Sequence, residues 1–215
     1  MILLDDSLLL RKGSLRATYG HPERADRCIK IEWEPAKTHR RLLLFWERKA
    51  HPGANDRELL GYREVLTAVP KSLPYMSWVG DIVETNLGPG LLVENINPQS
   101  RLMFSLNQVR KTSKLPVDAK ASDIADQVKR LISDAHAFGV VNHCLSPESV
   151  WFVQDDNGYR MRIVDYKTIA SSRWPPIGPY HRWRWQRRFE ERLLHAVNAA
   201  CRVGTVAGRS NAPAK

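Results

Sequence analysis

No stretch of this chain is apolar for the roughly 18 residues that a helix needs to cross a bilayer. Its first residues, MILLDDSLLLRKGS, carry two aspartates where a secretory leader would be positive, so a cytoplasmic protein is expected. Cysteine is scarce as well. Cys28, Cys144 and Cys201 are odd in number and far apart, with no C-x-x-C pair and no histidine at metal-ligand spacing, so neither a zinc site nor a disulfide framework is expected. There is no internal repeat. Acidic residues run short at one end: from Arg173 to Lys215 there are nine Lys or Arg against two Glu, which puts +7 of the net +10 in that tail. Such a segment attracts nucleic acid, an acidic protein or an anionic membrane surface, or is simply a solvated face.

What is present is a chain of 215 residues, 43% hydrophobic, enough to bury a substantial core. SLLLRKG, RATYGH and RCIKIEWE are short apolar or alternating runs separated by Gly13 and by GHPERAD, the pattern of a three-stranded meander. After a charged stretch that HPG interrupts, Leu59, Tyr62, Leu66 and Val69 recur at helical spacing from Asn55 until Pro70. WVGDIVET and GLLVENI then read as a hairpin, with Gly88 and Gly90 supplying turn conformations. Residues 1–96 should form a β-rich lobe with one helix. A polar connection from Asn97 to about Lys120 opens a mainly helical lobe over residues 97–203. Its clearest helix carries Ile124, Val128, Leu131, Ile132, Ala135 and Phe138 on one stripe, with Ser122 as its cap and Gly139 at its end. SVWFVQ, DDNG and YRMRIVDY follow as a hairpin. A last helix, from about His181 to Cys201, sets Trp185, Phe189, Leu193, Ala196, Val197 and Ala200 against Arg184, Arg187, Arg188 and Arg192, and residues 204–215 read as a frayed end. The fold class is α+β.

The order of certain residues points to phosphate chemistry. A protein kinase needs a glycine-containing hairpin, a lysine on the third strand, a helix glutamate to hold it, and a metal-binding aspartate after a later strand. Gly13 sits at the second glycine of the G-x-G-x-x-G pattern, with Arg11 and Arg16 at the first and third; it serves equally as an ordinary turn glycine. Lys30, flanked by Ile29 and Ile31, has the V-A-I-K setting in which an ammonium neutralises phosphate oxygens. Glu58 is its candidate partner, although Asn55 and Glu58 also have capping-box spacing; Glu64 and Glu47 are the fallbacks. Glu94 and Ile96, at the end of the hairpin, complete the candidate nucleotide-binding set. LSPESVWFV aligns with the segment that follows a kinase catalytic base, and IVDYK stands where D-F-G would. In that register Asn142, His143 and Cys144 replace H-R-D, Ser146 replaces the lysine, and Ser149 replaces the metal-holding asparagine. Asp165 is kept, as the carboxylate for Mg²⁺, with the alternative that it only opens a turn. Cys144 suits a small packing position better than a nucleophile.

These stretches, with RELLGY and VGDIVETNLGPGLLVENI, resemble the YrbL family, the PhoP regulatory network proteins of proteobacteria. The resemblance implies a protein-kinase-like two-lobe fold, here with a shortened C-terminal lobe, in a bacterial protein with a regulatory association. It also implies that loss of the base aspartate is a family trait. The leading expectation is a degenerate kinase-like (pseudokinase) regulator that binds ATP and Mg²⁺ in a cleft between lobes, its basic helix meeting an acidic protein or anionic surface. A lost base lowers the rate about 10²- to 10⁴-fold, so an active atypical kinase for a small or envelope-related substrate is the alternative. A nucleic-acid-binding scaffold ranks last, for want of a recognised reading motif.

Overall fold

The meander closes as the alternation dictates: β1 (Leu9–Lys12), β2 (Arg16–Gly20) and β3 (Arg27–Glu32) pair antiparallel in chain order. After helix α1 (Ala54–Ala68), β4 (Val79–Thr85) and β5 (Gly88–Glu94) form a hairpin that inserts with β5 against β3, giving the sheet order β1-β2-β3-β5-β4. The computed structural model describes residues 1–13, 15–33, 53–69, 73–138, 147–166, 187–188, 190–195 and 197–198. They fall into two compact units: Met1–Glu64, Ser77–Ser100 and Tyr166–Arg173 in the first, and Val65–Met76, Arg101–Asp165 and Trp174–Lys215 in the second. The architecture is α+β. Among the described residues no helix is long and apolar enough to cross a membrane.

In the first unit β3 is central, and its two faces do different work. Ile29 and Ile31 pack with Leu4 into one apolar cluster, joined by Ile2, Leu8, Tyr19, Val83 and Leu92. Cys28 and Lys30 alternate onto the opposite face. Gly88 takes a positive φ of 101° at the β4–β5 turn, as a turn glycine should. Gly90 does not share that role. It lies within β5 opposite Ile31, where a Cβ would stand 2.5 Å from Ile29 Cγ2 and 2.7 Å from Ile31 Cδ1, so its hydrogen makes room for the isoleucine layer.

The buried stripe of α1 is displaced from the expected one. Asn55, Glu58, Tyr62, Val65 and Val69 face inward, while Leu66 is exposed. The first two inward positions are polar because they serve β3, and an apolar stripe read by hydrophobicity alone therefore slips by one residue.

In the second unit, β6 (Met103–Ser105), β7 (Val150–Asp155) and β8 (Gly158–Ile163) form an antiparallel sheet in chain order. The expected polar connection thus holds a strand and a helix, α2 (Leu106–Thr112). Ser105 and Gln108 close a complete capping box at its start, and Leu106 and Val109 are fully buried. Helix α3 (Ala121–Ala137) buries Ile124, Ala125, Val128, Leu131 and Ala135. Its N-cap is Lys120, without a side-chain bond; Ser122 lies inside the first turn with its hydroxyl on Asp123 Oδ1. The side-chain amide of Gln127 ties α3 to β8 by donating to Tyr159 O (2.8 Å) and accepting from Met161 N (2.7 Å). Residues 187–188, 190–195 and 197–198 are helical, with Leu193 and Val197 buried and Arg187, Arg188 and Arg192 exposed. Arg184, Trp185, Phe189, Ala196 and Ala200 lie outside the described residues.

Candidate functional site

Lys30 stands at the centre of the first sheet, paired with Thr18 of β2 on one side and Leu91 of β5 on the other. Its ammonium donates to both carboxylate oxygens of Glu58, at 2.8 and 3.0 Å, with Lys30 8% and Glu58 2% exposed. The strand lysine and the helix glutamate, 28 residues apart, are therefore a buried ion pair.

Glu58 is shared. The Arg16 guanidinium, from β2, bonds to Glu58 Oε2 and lies 3.3 Å from Asn55 Oδ1. The Asn55 amide donates to the Lys30 carbonyl (2.8 Å), so Asn55 is not the capping residue that its spacing with Glu58 allows. Gly53, just before the helix, takes that place. Its N–H meets Asp56 Oδ2 at 3.3 Å, half of a capping box. The other half comes from β3, where Glu32 accepts from the Asn55 N–H. A carboxylate at that point also suits the positive end of the helix. A Cβ on Gly53 would stand 2.7 Å from Glu32 Oε1, so a larger residue there would push that carboxylate aside. The roles of Arg16 and Glu32 were not foreseen. Their only sequence signal is alternation: Glu32 stands two residues from Lys30 on the same strand.

The other nucleotide-site candidates occupy defined places. Gly13 closes the β1–β2 turn, its N–H donating to Arg16 O at 2.8 Å. Glu94 ends β5, and its Oε2 accepts from Trp78 N at 2.8 Å while its own N–H donates to Trp78 O. Ile96 is half-buried in the bend that follows. Glu64 lies six residues, under two turns, past Glu58 on α1, and Glu47 is outside the described residues. Cys28, on the Lys30 face, is buried, and burial pushes its thiol up to about 11 although Lys30 pulls the other way. It is inert at neutral pH.

In the second unit, Asp165 follows β8 with φ at 59°, a left-handed conformation uncommon outside glycine and tolerated best by Asp and Asn. The chain leading into it is held by Ser149, which is 2% exposed and whose carbonyl accepts from Val164 N at 2.9 Å. A carboxylate and a hydroxyl are hard oxygen donors and fit Mg²⁺ in chemical type. Among the described residues no group of three or more His, Cys, Asp or Glu could hold a metal ion. Mg²⁺ commonly takes one or two protein carboxylates and completes its shell from phosphate and water. Asn142, His143, Cys144 and Ser146 lie outside the described residues.

Residues 1–466 of Rad53, solved in complex with AMP-PNP, are similar at 15% identity and a TM-score of 0.48, covering 89% of this chain and 46% of that one. A double mutant of the Mycobacterium tuberculosis PknI kinase domain is similar at 16% identity and a TM-score of 0.42, covering 74% and 56%. This chain thus spans about half the length of the solved chains it matches. No curated protein matches it in sequence. The family model described as PhoP regulatory network protein YrbL matches residues 2–193. With nearly the whole chain inside that match, the protein belongs to the YrbL family.

Proposed function

We propose that this protein is a kinase-like regulator that binds a nucleotide through Lys30. The buried Lys30–Glu58 pair carries the reading. Ion pairs taken out of water contribute little net stability, and apolar residues of the same volume serve a core as well or better. A lysine kept charged on the inner face of a sheet, oriented by both oxygens of one carboxylate, has the form of a phosphate-binding group. Asn55, Glu32 and Arg16 hold Glu58 and its helix in place, and so act as positioning residues. When bound, ATP with Mg²⁺ would bring the phosphates that Lys30 neutralises; Asp165, with Ser149, is the proposed holder of the metal. Membership of a family described by a PhoP regulatory network supports the regulatory half of the reading. The replacement of H-R-D by Asn142, His143 and Cys144 favours binding over fast phosphoryl transfer.

Thermal unfolding with ATP, with and without Mg²⁺, tests this. Saturation at 100 times Kd stabilises a protein by about 2.7 kcal/mol. The expected result is a raised midpoint in the wild type, lost in Lys30→Ala, with the Mg²⁺-dependent part lost in Asp165→Asn, a variant that keeps the left-handed backbone. No shift in the wild type at millimolar ATP overturns nucleotide binding. A shift accompanied by slow, Asp165-dependent release of phosphate would instead make the protein an atypical kinase.

A further inference from the structure

The second unit has an open, cation-lined surface depression, its five lining residues all exposed, that the nucleotide reading does not use. It measures about 320 Å³ and is lined by Arg110 of α2 and by Arg188, Glu191, Arg192 and His195 of the C-terminal helical segment. Arg188, Arg192 and His195 are four and three residues apart, so one helix face presents all three. Arg110 reaches the same depression from the other element. Its Nε and Nη2 both bond to Asn107 Oδ1, at 3.1 and 2.8 Å, which fixes the guanidinium with a neutral amide and leaves its charge uncompensated.

The one carboxylate in the lining is already engaged: Glu191 Oε1 lies 3.1 Å from Arg187 Nε. Among the described residues Arg110, Arg188 and Arg192 form no ion pair. An ordinary solvated face would pair its charges along the helix, as Arg187 and Glu191 do. Arginines at i and i+4 repel instead, and a bound dianion would turn that repulsion into attraction. The geometry also discriminates among anions. Nucleic acid spreads its phosphates over a long line, whereas here Arg110 from a second element joins Arg188 and Arg192 around one shallow depression at the small end of the range for ligand pockets. Guanidinium groups match the oxygens of a phosphate bidentately.

We propose that this depression binds a phosphate monoester dianion, carried by a phosphorylated side chain or by a small phosphate ester. The test uses the full chain and three probes: a fluorescent phosphoserine peptide, its unphosphorylated twin, and phenyl phosphate as competitor. Only the phosphorylated peptide should bind. Arg188→Ala/Arg192→Ala should weaken it about tenfold or more, since each lost charge-assisted pair is among the stronger hydrogen bonds. Arg188→Lys/Arg192→Lys keeps the charge and should still lose affinity, because the planar fork is gone. Lys30→Ala should leave binding unchanged, so this site and the nucleotide site succeed or fail separately. Phenyl phosphate competing as well as the peptide assigns the site to small esters, and a clear preference for the peptide assigns it to protein; both sustain the proposal. Equal binding of the unphosphorylated twin, an unaffected alanine variant, or displacement of the peptide by a short DNA duplex at lower concentration than by phenyl phosphate overturns it.

Discussion

Removing Glu58 should harm this protein more than removing Lys30, and the difference follows from who shares whom. Glu58 is the common partner of Lys30 and Arg16. Glu58→Gln keeps the shape and withdraws the negative charge that Lys30 and Arg16 share, the situation in which breaking a buried pair costs about 3–5 kcal/mol. At about 2–4 °C per kcal/mol for a chain of this size, the midpoint should fall by roughly 6–20 °C. Lys30→Met removes two charge-assisted bonds, yet Glu58 keeps Arg16 and is not left alone. Counted as one bidentate contact to a single carboxylate, the loss there should be about 1.5–3 kcal/mol. Replacing all three, as Arg16→Met/Lys30→Met/Glu58→Leu, removes the shared charges together and should cost less stability than Glu58→Gln alone, while abolishing the ATP-dependent shift. Urea unfolding followed by circular dichroism reads the three variants. The reasoning fails if Lys30→Met is as damaging as Glu58→Gln, or if the apolar triple variant is the least stable.

Two further outcomes follow from the same unit. Gly90→Ala should destabilise by about 1–3 kcal/mol through overpacking against Ile29 and Ile31, whereas Gly20→Ala, whose Cβ would meet only Leu8 O at 3.8 Å and Leu10 Cδ1 at 4.0 Å, should be neutral or slightly stabilising; thermal midpoints compare them. For Cys28 the folded thiol titrates near 11 against an ordinary value of 9.0, so the neutral form is favoured in the fold. Its contribution, about 2.7 kcal/mol, is complete below pH 9 and disappears as pH climbs through 11, because the unfolded thiol ionises first. The wild-type stability advantage over Cys28→Ala should therefore shrink across that window, and iodoacetamide at pH 8 should leave Cys28 unmodified in the native protein.

The strands and the lysine were legible because alternation and turn residues are local signals. RCIKIE announces a strand with one odd residue, and β3 is that strand. The inward face of α1 was harder, since Asn55 and Glu58 occupy buried positions through bonds to a strand more than twenty residues away, and hydrophobic periodicity cannot register a satisfied polar group. Strand β6 and α2 were overlooked for a different reason. Their signal, Ser105 and Gln108 at capping-box spacing, was present, but a stretch with many polar residues and a seven-residue helix masked it. Gly90 read as a turn residue because a glycine needed for conformation and a glycine needed for space look alike until the neighbouring isoleucines are placed. The convergence of Arg110 with Arg188 and Arg192 depends on two elements meeting, and neither element alone announces it.

The opening turn of α1 behaves as a keyed joint. Glu32 engages the Asn55 N–H, Asn55 engages the Lys30 carbonyl, and Glu58 engages the Lys30 ammonium, all along one side of the helix and one edge of β3. Turning the helix by a single residue position swings each group about 100° and releases all three together. Strand and helix end must then travel as one rigid piece, so displacing the helix takes the carboxylate off the lysine in the same motion.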